Sequence, residues 1–172
     1  MTFKEQLSKL SACDDAVYWA ADKSLQEVWD TCHRGDWMLW LYRREKNYDL
    51  QKLTLAKGHC ANTVRHLMKD ERSKKAVDVA IAFGEGRASR QELNDASDAA
   101  DDADSDAANA AAYAAAYAAA YAADAAAAYA AAAAYAADAA YADARQTSLR
   151  KSADICREYL TEEVLMKYKK LR

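Results

Sequence analysis

The chain has 172 residues, a formal net charge of −3 and a low mean hydropathy of −0.46, although 52% of its residues count as hydrophobic, because alanine supplies much of that fraction. The length suits one domain, and no strongly apolar run approaches the ~20 residues of a membrane span, so we predict no membrane partner. The polar N-terminus predicts no signal peptide, and four cysteines without a CxxC pair predict free thiols in a reducing cytoplasm.

The absence of proline and the presence of only four glycines predict an all-α chain, a multi-helix bundle with short connections. The first helix is predicted over about residues 2–10, and the second over about residues 12–21 with Ser11 as its cap. Ser24 and Glu27 then fit a capping box at the start of a third helix.

An aromatic segment follows, in which one helix stops and another restarts. Gly35 is predicted to supply the C-terminal turn, and Asp36 is predicted to cap a helix that contains Trp37 and Trp40. Arg34 is expected to pair with Asp36. Aromatic residues at helical spacing favour a core, and exposed Trp and Arg favour a binding hot spot, so these residues are structural or contact residues.

Three further helices are predicted next in the chain. Asp49 caps the first of them, and Asp70 caps the second, which ends at Gly84. Ser89 and Glu92 form another capping box, which opens the alanine-rich segment.

Between Asp95 and Ala144 the chain consists almost entirely of alanine, aspartate and tyrosine. Alanine is the best helix former, so we predict a long helical segment whose weakest place is the acidic stretch 101–106. Residues 91–144 contain 10 acidic and 0 basic residues. Because this charge repels phosphate, we predict no nucleic-acid partner.

On a helical wheel this segment separates into a broad alanine seam and a Tyr/Asp stripe. Tyrosine supplies contact area and aspartate supplies steering, so the stripe and the acidic stretch before it predict a surface for a basic protein partner. The alternative is that aspartate only keeps an alanine-rich helix in solution. The predicted partner-binding residues are Asp98, Asp102, Asp106, Tyr113, Tyr117, Tyr121, Asp124, Tyr135 and Asp138.

The C-terminal part predicts a helix pair, over about residues 146–160 and 162–171, with Thr161 as the cap of the second helix. The chain is expected to form a single helical domain, 1–172, divided into N-terminal helices (1–88), the alanine-rich segment (89–145) and C-terminal helices (146–172) that pack on the N-terminal part. The expected core contains Trp19, Trp29, Trp37, Trp40, Leu53, Cys60, Val64, Leu67, Val77, Phe83, Leu149, Ile155 and Leu160.

No motif indicates catalysis or a cofactor. The chain lacks a glycine-rich phosphate loop, an HExxH motif and a nucleophile elbow, so we expect no enzyme and no cofactor. A zinc site from His33, His59, His66, Cys32 and Cys60 is the alternative considered. Cys60 lies in an apolar stripe and closely spaced ligand pairs are missing, so no metal site is predicted.

Four segments around the alanine-rich middle carry a family resemblance. They are SACDDAVYWA (11–20), LQEVWDTCHRGDWMLWL (25–41), LAKGHCANTVRHLMKDERSKKAVDVA (55–80) and SADICREYLTEEVL (152–165). With this middle, they resemble the Ala/Tyr-rich immunity protein family of bacterial polymorphic toxin systems and phages. The resemblance implies a cytoplasmic, non-enzymatic helical protein that neutralises a cognate toxin by binding it, and it carries over no catalytic residues.

Three alternatives to toxin immunity stay open. The chain is a structural protein that self-associates through its alanine seam, or a phage protein that binds a host defence protein. Ice binding is the third, although the regular threonines expected of ice-binding helices are missing from the alanine-rich segment.

Overall fold

The computed structural model describes residues 2–44, 47–68, 70–102 and 138–169. Within these ranges the chain is all-helical, without strands, which confirms the predicted all-α fold. None of the helices in the described part is long and apolar enough to cross a membrane. The helices are α1 (Phe3–Lys9), α2 (Asp14–Ala20), α3 (Leu25–Thr31), α4 (Gly35–Arg43), α5 (Leu50–Asn62), α6 (Glu71–Gly84), α7 (Arg90–Asp102) and α8 (Asp138–Lys169), with a 3₁₀ turn at Arg65–Leu67.

Four predicted helix starts are confirmed by their side-chain hydrogen bonds. Ser24 forms a capping box at α3, and Ser89 exchanges the same reciprocal bonds with the glutamate three residues later. The carboxylates of Asp49 and Asp70 accept bonds from amides in the first turns of α5 and α6. These bonds satisfy amides that have no partner within the helix, so each start is encoded locally.

The predicted cap of α2 is wrong, because Ser11 ends α1 instead. Its φ of 61° is left-handed, its amide donates to the Ser8 carbonyl, and the Ala12 amide donates to the Leu7 carbonyl. This pair of bonds is a Schellman motif, which satisfies the last carbonyls of a helix. Helix α2 begins at Asp14, without a side-chain cap.

The predicted roles of Gly35 and Asp36 at the start of α4 are also wrong. Gly35 is the first residue of the helix and Asp36 follows it in the first turn, so neither ends α3 nor caps α4. A β-carbon at Gly35 would lie 2.4 Å from Cβ of Ser152 and 2.6 Å from its carbonyl carbon. Glycine is therefore needed because α4 and α8 approach each other closely there.

The predicted C-terminal helix pair is a single helix, α8, which continues through Thr161. The Thr161 hydroxyl donates to the Arg157 carbonyl one turn earlier and accepts from Trp29 Nε1 at 2.9 Å, so it caps nothing. Arg157 Nη1 donates to the Trp29 and Cys32 carbonyls at 3.1 and 3.0 Å. These bonds tie the end of α3 to an uninterrupted α8.

The described core consists of three clusters rather than one. The largest joins α1, α2, α3, α4, α5 and α8, and two smaller clusters join α6 to α7 through Leu93, Ala96 and Ala100. Helix α7 therefore adds core residues that were not expected. Of the predicted core, Trp29, Leu53, Cys60, Val64, Val77, Phe83, Leu149 and Leu160 are buried, whereas Trp19, Trp37, Trp40, Leu67 and Ile155 are half-buried.

Candidate functional site

Helix α7 presents the described part of the predicted acidic surface. Leu93 and Ala96 are buried against α6, which leaves Glu92, Asp95 and Asp98 exposed on the solvent side. The amide and hydroxyl of Ser89 bond the Glu92 carboxylate and lower its pKa, so this group is charged at neutral pH. We call Glu92, Asp95 and Asp98 the α7 acidic face.

The structure does not describe the side chains of the other residues of the predicted partner-binding surface. Asp102 and Asp138 are the last residue of α7 and the first residue of α8, and their side chains are outside the described part. The other members lie outside the described residues altogether, and they are Asp106, Tyr113, Tyr117, Tyr121, Asp124 and Tyr135. Partner binding by the Tyr/Asp stripe stays a prediction.

The predicted pairing of Arg34 with Asp36 is confirmed. Arg34 Nε donates to one carboxylate oxygen of Asp36 at 2.8 Å, and Nη2 donates to the other at 2.5 Å. Hydrogen bonding to Asp36 is the largest cause of the raised pKa of Arg34. The guanidinium also lies 4.4 Å from the ring centroid of Trp37. Two side chains beside a half-buried indole are thus held in one geometry.

All four tryptophans of the chain line one cavity between α1, α2, α3 and α4. We call it the tryptophan cavity; its volume is about 360 Å³, within the range of small-molecule sites. Its walls are mainly apolar, and its polar groups come from Ser11, Cys13, Cys32 and Asp36. The lining tryptophans are Trp19, Trp29, Trp37 and Trp40.

Positive side chains lie over three of the four indole rings. Lys23 Nζ is 4.6 Å from the ring centroid of Trp19, and the Arg44 guanidinium is 5.0 Å from that of Trp40. Arg34 over Trp37 is the third case. Such cation–π contacts help to orient the rings.

A second, more open cavity of about 490 Å³ adjoins the tryptophan cavity. The two share Trp19 and Trp37 in their walls, and the second is also lined by His33, Arg34 and Arg145 among others. We call it the basic groove. Among the described residues, Arg145 forms no ion pair.

Sequence reasoning missed this arrangement, because it expected all four tryptophans in the core, with Trp37 and Trp40 as structural or contact residues, and predicted no cavity. Their clustering within a short stretch was the available signal. That clustering does not indicate where Arg145 lies. Arg145 belongs to α8 and lines the same groove as Trp19 and Trp37 only in the tertiary fold.

The considered zinc ligands do not meet. His33 and His66 are exposed, and His59 stacks on Tyr159 with ring centroids 4.8 Å apart. Cys60 is buried. Within the described ranges, no group of three or more His, Cys, Asp or Glu side chains is placed to hold a metal ion.

Comparison with known proteins finds no matching family model, no matching curated protein and no matching solved structure. The class of this protein is therefore described from its fold and its candidate site. It is an all-α bundle that carries an exposed acidic helix face and, separately, a tryptophan cavity beside a basic groove.

Proposed function

We propose that this chain is a non-enzymatic binding protein of the immunity type, which acts in the cytoplasm by covering a basic surface of a toxin or another protein. The observation that carries the proposal is the α7 acidic face. Packing of Leu93, Ala96 and Ala100 on α6 fixes the orientation of α7, so its carboxylates point outward from a rigid support.

The charge on this face is not neutralised within the described part of the chain. Neither Asp95 nor Asp98 forms an ion pair there, although the uncharged amide of Gln91 donates a hydrogen bond to Asp95 at 2.7 Å. The next 42 residues after Asp102 also contain no Lys or Arg. Uncompensated charge of one sign steers an oppositely charged partner and sets its orientation.

The immunity assignment is supported by the resemblance of the flanking segments and by the absence of catalytic motifs. An immunity protein needs no chemistry of its own, because covering the active surface of the toxin suffices. A phage protein that binds a host defence protein would use the same surface. The identity of the partner therefore distinguishes toxin immunity from counter-defence.

The test is capture of a partner from the native host by the tagged full-length chain, followed by titration with the purified partner. The variant D95N/D98N removes two charges from the α7 acidic face. The control D22N/D30N removes two exposed charges elsewhere, and Gln26 bonds Asp30 as Gln91 bonds Asp95. We expect D95N/D98N to weaken binding about tenfold or more, and the control to leave it unchanged.

A toxin as the partner, whose growth inhibition is relieved by co-expression of the chain, supports immunity. A defence protein as the partner favours counter-defence. Equal binding by D95N/D98N and D22N/D30N would remove the acidic face from the proposal. Capture of the chain by itself alone, with a concentration-dependent size in solution scattering, would indicate the self-associating alternative.

A further inference from the structure

We propose that the tryptophan cavity and the basic groove together bind a small carboxylic acid with an apolar body. This site is distinct from the α7 acidic face and goes beyond the proposed function. The apolar walls and the volume of about 360 Å³ define the body of the ligand, because burying apolar surface is the main gain available there.

The charge of the ligand follows from the groups around the cavity. Asp36 is the carboxylate in its wall, and both of its oxygens accept bonds from Arg34, so it does not repel a second carboxylate strongly. Lys23, Arg34 and Arg44 already lie over the rings of three tryptophans of the cavity, so a cationic ligand would compete with them for these rings. The surroundings therefore select against a cation.

Arg145 supplies the partner that a carboxylate needs. It lies in the basic groove, which shares the walls Trp19 and Trp37 with the tryptophan cavity. Guanidinium groups bind carboxylates in a bidentate manner, and Arg34 keeps N–H groups beyond the two that bond Asp36. The carboxylate of a ligand whose apolar body fills the cavity is therefore placed in the basic groove, which Arg34 and Arg145 both line.

The experiment titrates the full chain with octanoate and with 1-octanol, which share the alkyl body and differ in charge. Intrinsic tryptophan fluorescence is the readout, because every tryptophan of the chain lines the cavity, and calorimetry gives the stoichiometry. We expect saturable 1:1 binding of octanoate, and about tenfold weaker binding of 1-octanol because it lacks the charge-assisted bonds.

Two arginines of α8 provide a matched pair of variants. R145Q removes the charge in the groove, and R150Q removes another exposed arginine that does not line it. We expect R145Q to weaken octanoate binding about tenfold and to leave 1-octanol binding unchanged, while R150Q changes neither. The acidic-face variant D95N/D98N should bind octanoate as the wild type does.

Variants that fill the tryptophan cavity test whether the apolar body of the ligand binds there. Ala16→Leu adds a side chain at a buried wall position, and Ala12→Leu does so at a half-buried one, in case the first variant fails to fold. Either folded variant should lose both ligands. The proposal is overturned if octanoate does not saturate, if R145Q and R150Q behave alike, or if a folded cavity-filling variant binds as the wild type does.

Discussion

Trp19 and Trp37 place their ring centroids 6.1 Å apart, with the ring planes inclined by 57°. The pair joins α2 to α4 and forms a wall of both the tryptophan cavity and the basic groove. Arg34, which pairs with Asp36, covers Trp37. An aromatic contact of this kind contributes about 0.5–1.5 kcal/mol beyond its buried area, so it stabilises the wall as well as shaping it.

Trp37→Ala should therefore cost less stability than Trp29→Ala. Trp37 is half-buried, and its loss should lower the free energy of unfolding by about 1–3 kcal/mol. Trp29 is 1% exposed and donates to Thr161, so its loss should cost about 3–5 kcal/mol. Urea unfolding of both variants measures the difference. Equal losses would mean that the Trp37 ring is as deeply packed as that of Trp29.

Gly35→Ala should destabilise the fold by at least about 2 kcal/mol, because the new methyl group would meet the backbone of Ser152. Gly58 is the comparison, since a β-carbon there would lie 2.8 Å from Cγ1 of Ile81 and no closer than 3.2 Å to a backbone atom. Gly58→Ala should cost less than Gly35→Ala, because its backbone contacts are longer and the helix propensity of alanine offsets part of the strain. Thermal unfolding ranks the two. A milder effect at Gly35 would contradict the close approach of α4 and α8.

Tyr42→Phe should reduce the loss of stability at alkaline pH. Tyr42 is fully buried, and burial first, then its bond to Glu163 and the charge of that carboxylate, raise its pKa well above 10. A raised pKa in the folded state means that the stabilisation is complete below about pH 10 and is lost above it, by about 1.4 kcal/mol per pH unit. Lys52 forms its own hydrogen bond with Glu163, which raises the pKa of Lys52. This effect of Lys52 on stability at high pH is present in both the wild type and Tyr42→Phe.

Urea unfolding of the wild type and Tyr42→Phe between pH 8 and pH 11 gives the two slopes. We expect the wild type to lose stability faster above pH 10, and the free-energy difference between the two proteins to shrink there. A constant difference over the whole range would show that Tyr42 does not titrate on unfolding.

One thiol of the native chain should react with a disulfide reagent, and that thiol is Cys13. Cys13 is exposed, whereas Cys32, Cys60 and Cys156 are buried. Burial also raises the pKa of Cys32 and of Cys156, which lowers the fraction of reactive thiolate. Absorbance should report one fast equivalent, absent in Cys13→Ser, and three more in denaturant. Two or more fast equivalents in the native protein would contradict the burial of the other three.

The parts of the fold that local chemistry encodes were predictable. Ser24, Asp49, Asp70 and Ser89 start helices by bonding amides within a few residues, so nearby sequence contains the whole signal. The same logic failed at Ser11 and Thr161. Both residues have cap-forming side chains, but one takes a left-handed conformation after α1 and the other bonds Trp29 across the core.

The two candidate sites also differ in how far the sequence alone could predict them. Charge segregation along the chain predicts an acidic surface without any tertiary information, since a run of carboxylates without bases is acidic in any fold, and Asp98 is the one residue predicted for this surface whose exposure the structure describes. The basic groove was not predictable, because Arg145 and Trp37 are distant in sequence and meet only when α8 packs on α4.

By itself, the sequence determined an all-α chain, four of its helix starts and the uneven distribution of its charge, because helix propensity, capping and composition act over a few residues. Only the tertiary structure decided that α8 is continuous, that Gly35 serves a close approach, and that the four tryptophans, of which Trp29 is buried in the core, also line a cavity. Each of these depends on contacts between distant segments, whose energies no local pattern records.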